Sequence, residues 1–127
     1  MRRKISVNYI NSCLIGQRVS IDCIVKENVF ILLQIAPIQE FKEGKPTKNI
    51  VGYSYECVDT NKYDRYLFKT EQDKPIMDND ELQKRREDGE KFFIEVIGGS
   101  VSAYVSLSGS IEDSFKADDV KLTKVLN

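Results

Sequence analysis

Histidine does not occur in this chain of 127 residues. Imidazole acid–base catalysis is therefore excluded, and a cysteine nucleophile has no histidine to activate it. Cysteine is scarce, with three in all. Cys13, Cys23 and Cys57 are widely spaced, form no Cys-x-x-Cys pair and fit neither a zinc site nor a disulfide framework. Reduced thiols are the expectation. Charge of either sign is also lacking in excess. Nineteen basic side chains meet 20 acidic ones, for a net charge of -1, whereas proteins that coat DNA usually carry a basic surplus. Any nucleic-acid contact has to be local.

Long apolar runs are missing too. The N-terminal Met1-Arg2-Arg3-Lys4 begins as a signal peptide does, but Ser6, Asn8, Asn11 and Ser12 interrupt the apolar stretch that such a peptide needs next. The strand-sized stretch from Val29 is too short to span a bilayer. A cytoplasmic protein without membrane contact is expected. Phosphate-loop and dinucleotide patterns are absent around the glycines. With the usual catalytic types missing or unpaired, no enzyme and no cofactor are expected.

The content is 41% hydrophobic and 31% charged, an ordinary globular balance over a length suited to one domain, residues 1–127. Alternation along Val19, Ile21, Cys23 and Val25 predicts a half-buried strand, and Val29 to Leu33 a buried one. Pro37 limits the chain after it to an edge or a bend. Glu43-Gly44-Lys45-Pro46-Thr47-Lys48 reads as the tip of a long hairpin, with Gly44 supplying a positive φ. Val51, Tyr53, Tyr55 and Cys57 form the return strand, and at least one tyrosine belongs to the core. After an Asp59–Lys62 turn, a strand is expected over Tyr63–Thr70.

A short helix comes after a polar loop, capped by Asp80 and ended by Gly89, with Glu81–Arg85 and Lys84–Asp88 pairs. Its only apolar residue is Leu82, so it should mostly face water. Phe92 to Ile97 and Val101 to Leu107 alternate as strands, and Gly98-Gly99 between them suits a tight hairpin. Phe115, Val120 and Leu122 suggest a last short strand after an Ala117-Asp118-Asp119 turn. The expected fold is mainly β: a small antiparallel barrel, OB-like forms included, or a strongly twisted sheet, with one short helix.

Two patches stand out. Lys62-Tyr63-Asp64-Arg65-Tyr66-Leu67-Phe68-Lys69 interleaves rings and cations, the mixture that grips single strands by stacking bases and tracking phosphates. The candidate nucleic-acid residues are Lys62, Tyr63, Arg65 and Lys69, set against the plainer reading of a strand with core aromatics and a solvated charged face. Lys84, Arg85 and Arg86 form a second basic patch, with a solvated helix face as the plainer reading. Asp118-Asp119, with Glu112 and Asp113, matches no calcium loop, and no metal site is expected.

Phe41-Lys42-Glu43-Gly44, Val51-Gly52-Tyr53-Ser54-Tyr55-Glu56, Lys91-Phe92-Phe93-Ile94-Glu95-Val96 and above all Phe115-Lys116-Ala117-Asp118-Asp119-Val120-Lys121-Leu122 resemble, in that order, segments of small accessory proteins. These are carried by Gram-positive integrative conjugative elements, in the conjugative-transposon family that includes helicase-processivity proteins. The likeness covers roughly the last two-thirds of the chain, and the Gln72–Asp88 insertion departs from it. The resemblance implies a barrel-like fold and a non-enzymatic role in replicating or transferring an element's DNA. Weak single-stranded DNA binding or contact with a helicase would carry that role, and Ala117, Asp118 and Asp119 would be structural. The alternative is a protein-interaction or regulatory module without nucleic-acid contact.

Overall fold

The computed structural model describes residues 18–20, 28–105, 107–109 and 111–123. Much of the strand expected around Cys23 lies outside them, as does Cys13. Eight strands and one helix succeed one another in chain order: β1 (Arg18–Ser20), β2 (Val29–Lys42), β3 (Lys45–Asp59), β4 (Arg65–Thr70), α1 (Asn79–Glu87), β5 (Phe93–Ile97), β6 (Ser100–Val105), β7 (Ile111–Lys116) and β8 (Asp119–Thr123). They form one sheet in the order β1-β6-β7-β4-β3-β2-β5-β8. Among the described residues the protein is mainly β with a single short helix, as its strand-period alternation requires. No hydrogen-bonded pair joins β1 to β8 among the described residues, so the ladder does not close into a barrel. No described helix is long and apolar enough to cross a membrane.

The β2–β3 hairpin turns through Glu43 and Gly44, both at positive φ (53° and 76°), the two-residue geometry that matches strand twist. Pro37 sits in β2 opposite Tyr53. It is tolerated there because β5 pairs with β2 only over Val29–Ile31, leaving that stretch of β2 an edge. Beyond Ile38 and Gly52 the two strands run on as an exposed arm.

Gly98-Gly99 does not make a hairpin. β5 pairs with β2 and β8, β6 with β1 and β7. Instead, Ile97 faces Asp119 and Ser100 faces Lys116 in one unbroken register. β5–β6 and β7–β8 are the two arms of one long hairpin with a corner, where Gly98-Gly99 opposes Ala117-Asp118. A pair of glycines signals either device, and the pairing partners, far away in sequence, decide which forms. The corner has a global effect. β5 and β6 stand five places apart in the sheet, about 24 Å if the sheet were flat, yet two residues bridge roughly 11 Å at most. The sheet must therefore curl until its flanks approach. One core accordingly collects Ile94, Val96 and Val120 from one flank with Val101, Ala103 and Phe115 from the other.

The curl also brings β7 beside β4, running parallel, with Phe68 opposite Phe115 and Lys69 opposite Lys116. The remaining pairs are antiparallel, as mostly expected; this one is parallel because β4 and β7 are joined only through α1 and the long hairpin. At the centre Phe30, Tyr66, Phe68 and Phe115 pack with ring centroids 5.3–6.1 Å apart, mostly edge-on or tilted as ring quadrupoles favour. β6 ends at Val105, and Leu107, expected within that strand, is fully exposed.

Cys57 is buried in this core and free, and burial holds its thiol well above the ordinary range. Both states are neutral below the ordinary thiol value. As pH rises through that value, the unfolded chain releases the proton and the folded chain keeps it. Stability should then fall by up to about 1.4 kcal/mol per pH unit. Tyr55, whose hydroxyl is also pushed up by burial, adds a second loss above its own ordinary value. Urea titrations between pH 8 and 10 should show the decline, and Cys57→Ala should flatten it. Cys57 should also react slowly with a thiol reagent in the native protein.

Candidate functional site

The segment Lys62–Lys69 is built in two parts. Asp59, itself buried, accepts from the backbone N–H groups of Asn61 (2.8 Å) and Lys62 (3.3 Å) through its carboxylate. Its carbonyl accepts from Tyr63 N at 3.0 Å. This loop leaves Tyr63 at φ 60°, off the strand expected over Tyr63–Thr70. β4 begins only at Arg65. From there the expected phase holds: Tyr66, Phe68 and Thr70 point into the core, Arg65 and Lys69 outward.

Arg65 is matched by Glu56 at 3.6 Å. Lys69 has no ion pair or hydrogen bond from its side chain among the described residues, and neither has Lys116, its register partner. The structure thus separates the predicted residues. Tyr63 lies just before β4 and Lys69 near its far end, six residues and at most about 20 Å apart.

Lys69 and Lys116 line a groove of about 460 Å³ at the corner of the long hairpin. Ile38 and Val51, at the root of the β2–β3 arm, form its apolar wall, and Glu71 and Asp118 its acidic side. Asp118 also ties the corner, its N–H donating to Ile97 O at 2.9 Å, and its side chain leaves no room for a Cβ on Gly98. Two like charges set side by side on a sheet are destabilising, and no carboxylate of the described residues comes within ion-pairing distance of either. The arm above carries exposed Phe41, Ile50 and Val51, with Lys42, Lys45 and Lys48 along the same hairpin. Sequence reasoning missed Phe41, read only as part of a turn motif, and Lys116, whose neighbour Lys69 lies 47 positions away.

The second basic patch is mostly occupied. Arg85 donates to both oxygens of Glu90 (2.7 and 3.0 Å), lies 3.6 Å from Glu81 and stacks over Phe92, 4.8 Å from the ring centroid. That pairing raises the Arg85 guanidinium and lowers the Glu90 carboxyl from their ordinary values. Arg86 Nη1 donates to the Leu33 carbonyl at 2.7 Å, as does Gln83 Nε2 at 2.8 Å. Leu33 is the extra residue of a β-bulge, since Leu32 faces Cys57 and Gln34 faces Glu56, so its carbonyl is turned out of the ladder. Asn79 Oδ1 accepts from Ile35 N at 3.0 Å.

Asn79, Gln83 and Arg86, together with buried Leu82, therefore make a docking stripe at helical spacing. The helix does not mostly face water; a polar face seats it on the bulge. Asp78, not Asp80, caps it by accepting from Glu81 N at 3.1 Å. Gly89 (φ 90°) closes it, with Gly89 N donating to Arg86 O and Glu90 N to Arg85 O, a Schellman end. Lys84 remains exposed, without the expected pair to Asp88 among the described residues.

Asp119 is spoken for structurally. Its Oδ1 accepts from Gln72 Nε2 at 2.6 Å and from Val120 N at 3.0 Å. Gln72 also accepts from the Tyr55 hydroxyl, tying the loop after β4 to the core.

No family model, curated protein sequence or solved structure matches the chain.

Proposed function

We propose that this chain is a non-enzymatic accessory protein of mobile-element DNA replication or conjugative transfer, acting by weak single-stranded DNA binding. The mobile-element setting rests on the resemblance of Phe115–Leu122 and the segments before it. The binding mode rests on one observation: Lys69 and Lys116 stand in register with no ion pair to the described residues, in a groove beneath an arm that exposes an aromatic ring. Cations placed this way track phosphates, and Phe41 offers a stacking platform for a base.

The connectivity adds support. A β2–β3–β4 meander, a helix, and a bent hairpin pairing with β2 on one side and parallel to β4 on the other is the connectivity of OB-folds. Those are partly open Greek-key barrels that bind oligonucleotides or oligosaccharides. Contact with a helicase or another conjugation protein is the second reading, favoured by the apolar Phe41, Ile50 and Val51 on the arm.

Fluorescence anisotropy with a labelled oligothymidylate at graded salt tests the first reading. Wild type should bind weakly, and Lys69→Ala with Lys116→Ala should lower the salt slope by about 1–2 units, roughly one per lost phosphate contact. Phe41→Ala should weaken binding at every salt concentration. Absence of binding at low salt would remove this reading and leave the helicase or interaction-module one.

A further inference from the structure

At the far end of β4 from the paired lysines lies a second cavity, of about 360 Å³. Ile31, Leu33 and Val58 give it an apolar floor, and Tyr63, Arg86 and Lys91 stand around it. The fold joins here two patches that the sequence keeps 23 positions apart, because α1 is seated on the Leu33 bulge. Tyr63 is held at φ 60°, a left-handed conformation that is uncommon for a bulky residue and that glycine or asparagine adopts at less cost. The ring gains nothing from the core in return, being 70% exposed. Strained, exposed aromatics of this kind concentrate at binding sites.

The charge around the cavity is cationic in effect. Both oxygens of Glu90, the acidic residue at its edge, are taken by Arg85. Lys91 has no ion pair among the described residues, and Arg86 uses only Nη1 in its hydrogen bonds to Leu33 and Gln83.

We infer that this cavity is a second site, separate from the Lys69–Lys116 groove, for a nucleobase bearing a phosphate. The base stacks on Tyr63 over the apolar floor, and the phosphate meets Lys91 and the free edge of Arg86. Such a nucleotide comes either free or as part of a strand.

Amide chemical-shift titrations of the full chain distinguish these sources. Deoxynucleoside monophosphates, a short oligodeoxynucleotide and inorganic phosphate are titrated in separate arms, watching Tyr63, Gly89 and Lys91. The expected result is saturable shifts with a nucleotide, free or in the strand, and much weaker ones with inorganic phosphate. Tyr63→Gly, which relaxes the backbone while deleting the ring, should weaken binding about tenfold or more. Tyr63→Phe should keep it within about twofold, because stacking needs the ring and not the hydroxyl. Lys91→Ala should weaken it less than Tyr63→Gly does. The Lys69→Ala/Lys116→Ala protein should retain these shifts even if it loses strand binding in anisotropy, so the two sites fail separately. Three outcomes overturn the inference: no shifts with either nucleotide form, equal binding by inorganic phosphate, or binding indifferent to Tyr63→Gly.

Discussion

Gly52→Ala should be among the most damaging single changes in this protein, although it adds one methyl group. A Cβ at this position would lie 1.9 Å from the Thr70 carbonyl oxygen and 2.9 Å from its carbon. Both are backbone atoms, so no rotamer relieves the contact and β3 must part from β4. The neighbouring pair resists that movement: Tyr53 faces Thr70 in the ladder, and Thr70 Oγ1 donates to Tyr53 O at 2.9 Å. Overpacking of this kind costs about 3 kcal/mol, the upper part of its usual range. For a chain of this size that is roughly a 10 °C drop in melting temperature. Gly44→Ala is the control, since a Cβ there meets nothing within 4 Å. Its cost is only that of a positive φ, about 1 kcal/mol. Calorimetry of the two variants should rank them in that order; equal losses would mean that β3 and β4 part easily at Gly52.

Leu82→Ala is expected to have an effect of similar size. Leu82 is fully buried and is the only hydrophobic residue of α1 that is. Truncating a buried leucine costs about 2–5 kcal/mol. Here the loss falls on a nine-residue helix, too short to persist alone in water. The remaining anchors, Asn79, Gln83 and Arg86, hold backbone groups of β2, and each such hydrogen bond contributes about 1 kcal/mol. Leu82→Ala should therefore lower global stability by about 3 kcal/mol and speed amide exchange through Asn79–Glu87 more than in β3. Gln83→Ala should cost about 1–2 kcal/mol, since Arg86 still serves the Leu33 carbonyl. A larger loss from Gln83→Ala than from Leu82→Ala would show that the polar stripe, not the leucine, seats the helix.

These two positions mark where the sequence was readable and where it was not. Period-two alternation placed Cys57 and at least one of Tyr53 and Tyr55 inside, the buried one being Tyr55, and gave β4 its correct phase, because a strand's two faces are a local property. Gly44 and Gly89 were legible for the same reason: each serves a conformation of its own turn. Long-range partners were not legible. Whether Gly98-Gly99 makes a hairpin or a corner depends on Asp119 and Lys116, some twenty residues on. The lysine pair arises from a parallel contact between distant segments, and nothing near Lys69 announces Lys116.

Helix α1 misled differently. Its docking face is polar, so a reading based on apolar periodicity finds only Leu82 and turns the helix toward water. The bulge carbonyl that attracts Gln83 and Arg86 is invisible in sequence. Tyr63 was misplaced by strand propensity, which favours tyrosine on β4, whereas the Asp59 loop imposes a left-handed residue just before it.

The corner at Gly98-Gly99 has a consequence for the order of assembly during synthesis. A nascent chain that has emerged only through Val105 already holds the β2–β3–β4 meander, but β7 and β8 do not yet exist. The outer edge of β4 and the outer edge of β5 then both lie open. One late segment, Ile111–Thr123, covers both at once by running down β6 and on along β5. Until it arrives, two unpaired strand edges are available to other chains. A ribosome pause or a stop codon before Ile111 should therefore yield aggregating fragments rather than a smaller folded protein.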